Sequence, residues 1–150
     1  MSELRLRNVE QTDVDLIYRW ANDEECRKNA FHPEKIAYET HVQWFQQKLQ
    51  SDNCDMFILM KEQEAIGLVR VDYEETKGVI SYSIDAAHRG HGYGYAMLQL
   101  LEKNMDRTDQ LVGEVKKNNP ASQKVFEKLG YCKKETEKCY VYTKYIEVQK

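Results

Sequence analysis

A chain of 150 residues suffices to bury one sizeable core, and 31% charged against 41% hydrophobic residues is the balance of a soluble globular protein. A net charge of -3 supplies no global basic field, which sets nucleic acid aside as a partner, and no apolar run reaches membrane-spanning length. Cys26, Cys54, Cys132 and Cys139 form no C-x-x-C pair, so no metal is expected; with no signal-peptide pattern at Met1-Ser2-Glu3, they read as reduced thiols of a cytoplasmic protein.

Residues 4–9 alternate apolar and polar, as a half-buried strand does. Thr12, with Asp15 three residues on, reads as a helix N-cap, and Val14, Ile17, Tyr18 and Ala21 supply the helical face. A polar break at residues 22–25 leads into a second short helix through Cys26 to Asn29, ended before Pro33. A longer helix is expected over residues 37–50, with Val42, Phe45 and Leu49 on one face. The aromatics here are open to two readings. They pack into the core, or Trp20, Phe31, His32 and Trp44 line a substrate cleft formed by a helical arm.

Residues 55–61, 65–73 and 79–85 read as three strands joined by short turns, an antiparallel meander in which Gly67 marks a bulge or a close approach. A helix over residues 93–105 follows, then a short strand over 111–115, parallel to the strand before the helix because a helix-length crossover separates them. Asn118-Asn119-Pro120 opens the next helix, and Gly130 closes it. Two strands end the chain, the second over residues 139–148 and rich in tyrosine. That strand is a candidate for pairing at a dimer interface, so monomer and homodimer both stay open. The fold class is α/β, as one domain over residues 1–150, with a single mixed, mostly antiparallel sheet and helices on both faces.

The most informative stretch lies between the third meander strand and the next helix: Arg89-Gly90-His91-Gly92-Tyr93-Gly94. Glycine has no side chain to block an approach and takes positive φ. The helix that follows leaves its first N–H groups free and carries the positive end of its dipole, which together suit a phosphate or pyrophosphate. The plainer alternative is a tight strand-to-helix turn. A Walker loop is excluded because no lysine follows the last glycine. A G-x-G-x-x-G fingerprint starting at Gly90 is excluded because Tyr95 stands where its third glycine belongs.

What fits is R-x-x-G-x-G, carried by Arg89, Gly92 and Gly94. In this the chain resembles the GCN5-related N-acetyltransferase (GNAT) family, whose acetyl-CoA pyrophosphate loop has the same pattern. Residues 114–122 and 125–131, with Asn119, Ser122, Phe126, Lys128 and Gly130, resemble the family's second block, N-x-x-S followed by L-[YF]-x-K-x-G-F. The resemblance implies the GNAT fold and direct transfer of an acetyl group from acetyl-CoA to a primary amine. It implies that Arg89, Gly90, His91, Gly92, Tyr93 and Gly94 hold the pyrophosphate. The pantetheine arm then lies along the backbone of Tyr82, Ser83 and Ile84 and against Asn119, with Ser122, Phe126 and Lys128 further contacts.

Glu114 matches the family's general base, with a surface acid at a strand end as the alternative. Phe126 stands where relatives often carry a tyrosine that protonates the thiolate, and phenylalanine has no proton to give. Tyr82, Tyr93, Tyr131 or water then takes that part, Tyr82 foremost, or the thiolate leaves unprotonated. The arm, with Trp20-Ala21-Asn22-Asp23 and then Arg27, Lys28, Phe31, His41 and Trp44, resembles that of ribosomal-protein and flagellin amino-sugar-nucleotide acetyltransferases. Arg27, Phe31, His32 and Trp44 are therefore candidates to contact a small amine-bearing substrate, an amino-sugar nucleotide. A protein N-terminus, a polyamine, or a non-catalytic acetyl-CoA-binding module remain the alternatives.

Overall fold

The computed structural model describes residues 3–148, so the expectation of one domain over 1–150 and the start at Met1-Ser2 extend outside the described residues. Seven strands form one sheet in the order β1-β2-β3-β4-β5-β7-β6. The strands are β1 Leu4–Asn8, β2 Cys54–Lys61, β3 Glu64–Glu74, β4 Lys77–Ile84, β5 Gln110–Lys116, β6 Cys132–Glu135 and β7 Cys139–Tyr145. The helices are α1 Val14–Ala21, α2 Glu24–Lys28, α3 Tyr38–Gln50, α4 Tyr93–Asn104 and α5 Pro120–Lys128. Only β4 and β5 run parallel; every other neighbouring pair is antiparallel. The sheet is thus mixed and mostly antiparallel.

Strand alternation divides the core in two. On one face, Val69 and Val71 of β3, Ile80 of β4 and Leu111 and Val115 of β5 pack against Met97, Leu98 and Leu101 of α4 and Phe126 of α5. On the other, Ile58 of β2 and Leu68 of β3 pack against Ile17 and Trp20 of α1 and Phe45 of α3. Helices therefore cover both faces. Gly67 serves in both expected ways. A Cβ there would stand 2.6 Å from the Ser83 carbonyl oxygen, and the β2–β3 register shifts between Leu59 and Met60, opposite it.

Two expectations change, the first helix cap and the last strand. The cap of the first helical segment is not Thr12: a short 3-10 turn, Gln11–Asp13, precedes α1. Asp13 accepts the Glu10 N–H at 2.7 Å and two bonds from Arg7, at 2.8 and 2.9 Å, so a carboxylate fixes the turn where a hydroxyl was expected. The last strand stops at Tyr145 and lies between β5 and β6, paired with β5 along its length and with β6 over Tyr140 to Thr143. Over that stretch it has no open edge to offer a second copy, and the outermost strand at this end of the sheet is β6. The four cysteines are free thiols, with Cys54 and Cys139 buried.

Candidate active site

The site begins where β4 and β5 part. Their ladder pairs only Gly78 with Leu111, Val79 with Val112 and Ile80 with Gly113, although β4 continues to Ile84 and β5 to Lys116. Beyond Ile80 and Gly113 the two backbones face a gap. The gap is part of a cleft of about 1610 Å³, lined by both strand ends, the glycine loop, the first turn of α5, and the arm from α1 to α3.

The three loop glycines do different work. Gly90 and Gly92 sit at φ 82° and 78°, with open space where a Cβ would go, so they are there for the turn. Gly94 is there for room, since a Cβ would come within 3.2 Å of the Tyr82 ring. The turn delivers the chain to the start of α4, whose first N–H groups lack intrahelical partners and face the cleft end of the loop. Unpaired N–H groups at a helix start are donors that suit an anion.

Side-chain parity assigns the remaining residues to the two faces of the sheet. Tyr82, like Ile80, lies on the α4–α5 face. Its hydroxyl is 2.9 Å from Ser122 Oγ, and burial holds its pKa above the usual phenol value against the opposing effect of that hydrogen bond. Asn119 caps α5 by accepting the Ser122 N–H at 3.3 Å, which fixes the backbone that carries the hydroxyl. Phe126 is 2% exposed and edge-on to Tyr82, with Tyr142 stacked on it at 5.4 Å. It is the floor under the site rather than an open contact. Gly113 exists to admit that ring, since a Cβ there would lie 2.3 Å from it. Tyr131 is buried outside the cleft, whereas Tyr93 lines it and accepts a hydrogen bond from Lys61 at 3.2 Å.

Glu114 is on the opposite face, exposed and lining the cleft under the arm. Lys116, two residues on and on the same face, donates to the carbonyls of Lys28 at 3.3 Å and Ala30 at 3.1 Å. Arg89, at the other lip of the gap, donates to the Ile84 carbonyl at 3.1 Å and to Asp23 at 2.5 Å. Asp23 also caps α2 through the Cys26 N–H. Its pKa lies below the usual carboxylate value because the hydrogen bonds and charge of Arg89, with backbone N–H groups, outweigh burial, the largest single influence. α2 is therefore strapped across the mouth of the gap, held from one side by Arg89 and from the other by Lys116.

This arrangement explains the Trp20-Ala21-Asn22-Asp23 run. Trp20 Nε1 donates to Asp85 at 2.7 Å, Asn22 exchanges two hydrogen bonds with the Ile36 backbone at 2.8 Å, and Asp23 holds Arg89. Each residue ties the arm to a different segment. Arg27 lines the cleft, and its Nη1 donates to the His32 and Glu34 carbonyls, which shapes the arm loop. Phe31 and His32 are exposed at the cleft, and Trp44 is half-buried beneath Arg70. Ser83, Ile84 and His91 sit at the gap or its loop, and Lys128 is exposed on the cleft's outer wall. Sequence reasoning gave no part in the site to Lys116, to Asp23 beyond its place in the Trp20-Ala21-Asn22-Asp23 run, or to Arg70, which did leave a signal as a charged residue inside the apolar run of β3. Among the described residues no three His, Cys, Asp or Glu side chains stand together to hold a metal ion, and no helix is long and apolar enough to cross a membrane.

The cleft thus joins a strand gap, a glycine turn at a helix start and a helical strap over the gap. Residues 3–132 match the model of the acetyltransferase (GNAT) domain, and the chain belongs to that family. It is an acetyl-CoA-dependent N-acetyltransferase. No curated protein sequence matches it. Among solved structures it is similar to spermidine N-acetyltransferase from Vibrio cholerae in complex with CoA and spermine (16% identity, 95% of this chain and 94% of that one, TM-score 0.81). It is similar as well to the acetyltransferase from Salmonella typhimurium that modifies the N-terminal serine of ribosomal protein L7/L12 (16% identity, 96% and 95%, TM-score 0.82). A third is aminoglycoside acetyltransferase AAC(6')-Ib in complex with coenzyme A and kanamycin (15% identity, 95% of each chain, TM-score 0.80). At such identities the likeness establishes the fold.

Proposed function

We propose that the gap after Ile80 and Gly113 receives the pantetheine arm of acetyl-CoA, and that the acetyl group is passed to a small primary amine held under the arm, an amino-sugar nucleotide. The observation that carries this reading is the gap itself: two adjacent strands stop pairing beside a glycine turn that opens a helix. The residues present fit the coenzyme. Beyond Ile80, β4 has no strand partner on its β5 side, and alternate backbone groups there, at Tyr82 and the Ile84 N–H, are open to an extended amide chain beside Ser83. The loop from Arg89 to Gly94 offers N–H groups for the pyrophosphate, and Lys128 adds a positive charge on the outer wall.

The bound thioester supplies an activated acyl group; the chain's own residues manage the protons. Glu114 takes the proton of the acceptor ammonium on the arm face, because an amine with a pKa near 10 is mostly charged at neutral pH. Tyr82, kept neutral by burial, supplies a proton through Ser122 on the α4–α5 face, where the thiol side of the gap lies. In this reading base and acid work from opposite faces of the sheet, and Tyr82 with Ser122 takes the part that Phe126 has no proton to play. Phe31 and Trp44 offer aromatic surface to a sugar ring, and Lys28 a charge to its phosphates.

The test is direct. Acetyl-CoA at a hundredfold excess over Kd stabilises the native state by about 2.7 kcal/mol in thermal melts. Absence of any shift at millimolar acetyl-CoA overturns the proposal. Glu114→Gln lowers kcat by about a hundredfold or more, with acetyl-CoA binding kept. An unchanged kcat removes Glu114 from the mechanism.

A further inference from the structure

The arm-side face of the sheet carries one more group that the reaction as described does not use. Alternation along β3 places Arg70 on the face of Leu68, under α3, and Arg70 pairs across the sheet with Ser81 of β4. Ser81 is the residue after Ile80, and Glu114 the residue after its partner Gly113. Arg70, Ser81 and Glu114 therefore form a row across three strands, at the level where the gap opens and on the face that the arm covers. All three line the same cleft.

The guanidinium of Arg70 is only partly committed. Nε donates to Asp72 at 2.8 Å and Nη2 to Ser81 Oγ at 3.3 Å, while Nη1 takes no partner among the described residues. Asp72 is shared: Lys48 also donates to it, at 2.6 Å. Two cations on one carboxylate leave an uncompensated positive charge in the cleft wall. Trp44 lies against the guanidinium, its ring centroid 5.1 Å from Cζ, so that the flat cation is held in one plane. A fixed, half-buried guanidinium with a free edge and a neighbouring hydroxyl is the arrangement that recognises a phosphate or carboxylate.

We propose that Arg70, with Ser81, anchors an anionic group of the acceptor and makes the enzyme selective for amines that carry a phosphate or a carboxylate. This rests on the proposed acceptor position beside Glu114. One strand spacing and the opening gap separate the Arg70 and Glu114 backbones, on the order of 10 Å or more. With both side chains reaching into the cleft, an amino-sugar phosphate or an amino acid spans what remains. Such a site disfavours a polyamine, whose charges all match that of Arg70.

Matched amines test it: glucosamine phosphate against glucosamine, and γ-aminobutyrate against butylamine, each assayed by thiol release and by calorimetry. In the wild type the anionic member of at least one pair is favoured by about tenfold or more in kcat/KM, the worth of one charge-assisted contact. Which pair responds separates phosphate from carboxylate. Arg70→Met brings that ratio towards one, and Arg70→Lys restores part of it. A merely structural Arg70 lowers both members alike and leaves the ratio in place, which overturns the proposal; so does a wild-type ratio near one. Should no amine release thiol, the acceptor reading has failed, and the calorimetric ratio for the same pairs decides on Arg70 alone. If Arg70→Met does not fold, the wild-type ratio and Arg70→Lys still decide.

Discussion

Asp23 serves two elements with one carboxylate, as cap of α2 and as partner of Arg89, and the two duties are separable. Asparagine caps a helix as well as aspartate does but carries no charge. Asp23→Asn therefore keeps α2 and loosens the strap, at a cost of about 1 kcal/mol in urea unfolding, since both partners keep some contact with water. A loss near zero means the ion pair is only superficial. His41 bears on acid stability. It is 1% exposed, with Nε2 2.9 Å from the Val14 carbonyl oxygen, and burial lowers its pKa. The unfolded chain takes up a proton near pH 6.5, and the folded chain only at lower pH. In that interval the unfolded state binds more protons, so stability falls as pH drops through 6.5 and levels off below the folded value. His41→Gln flattens this part of the curve, and an equal slope in both proteins refutes the assignment.

At the scale of elements, size complementarity between β5 and α5 sets the floor of the site. Gly113→Ala drives a methyl into the Phe126 ring and destabilises by about 1–3 kcal/mol. Phe126→Leu in the same chain returns part of that loss, and strict additivity of the two changes in denaturant midpoints contradicts the contact. Most elements were legible because their periods were clean: the alternation of β4 and the Phe45 face of α3 name their own classes. The start of α1 was not, because Asp13 reaches both back to Glu10 and across to Arg7, while Thr12 only resembles a cap. The position of β7 was hidden for another reason. Its tyrosines announce a strand, but nothing local says that the last strand is inserted between β5 and β6.

For the whole molecule, the glycine loop and the Asn119 block announced the family, and the gap that unites them is a property of two strands far apart in sequence. The cross-links that shape the acceptor side join residues 65 to 88 positions apart. No window along the chain contains both partners, so the loop was readable and the strap was not. The three-residue ladder between β4 and β5 also makes the sheet two smaller sheets, β1 to β4 and β5 to β6, sharing one short seam. Past the seam, alternate β4 amides point into the gap and are shielded only by what lies there, whereas those within the seam are shielded by the fold. Hydrogen exchange becomes an occupancy gauge: acetyl-CoA slows the gap-facing amides of residues 81–84 and leaves 78–80 unaltered. Uniform slowing along β4 would mean that the ligand stiffens the domain as a whole instead of completing its sheet.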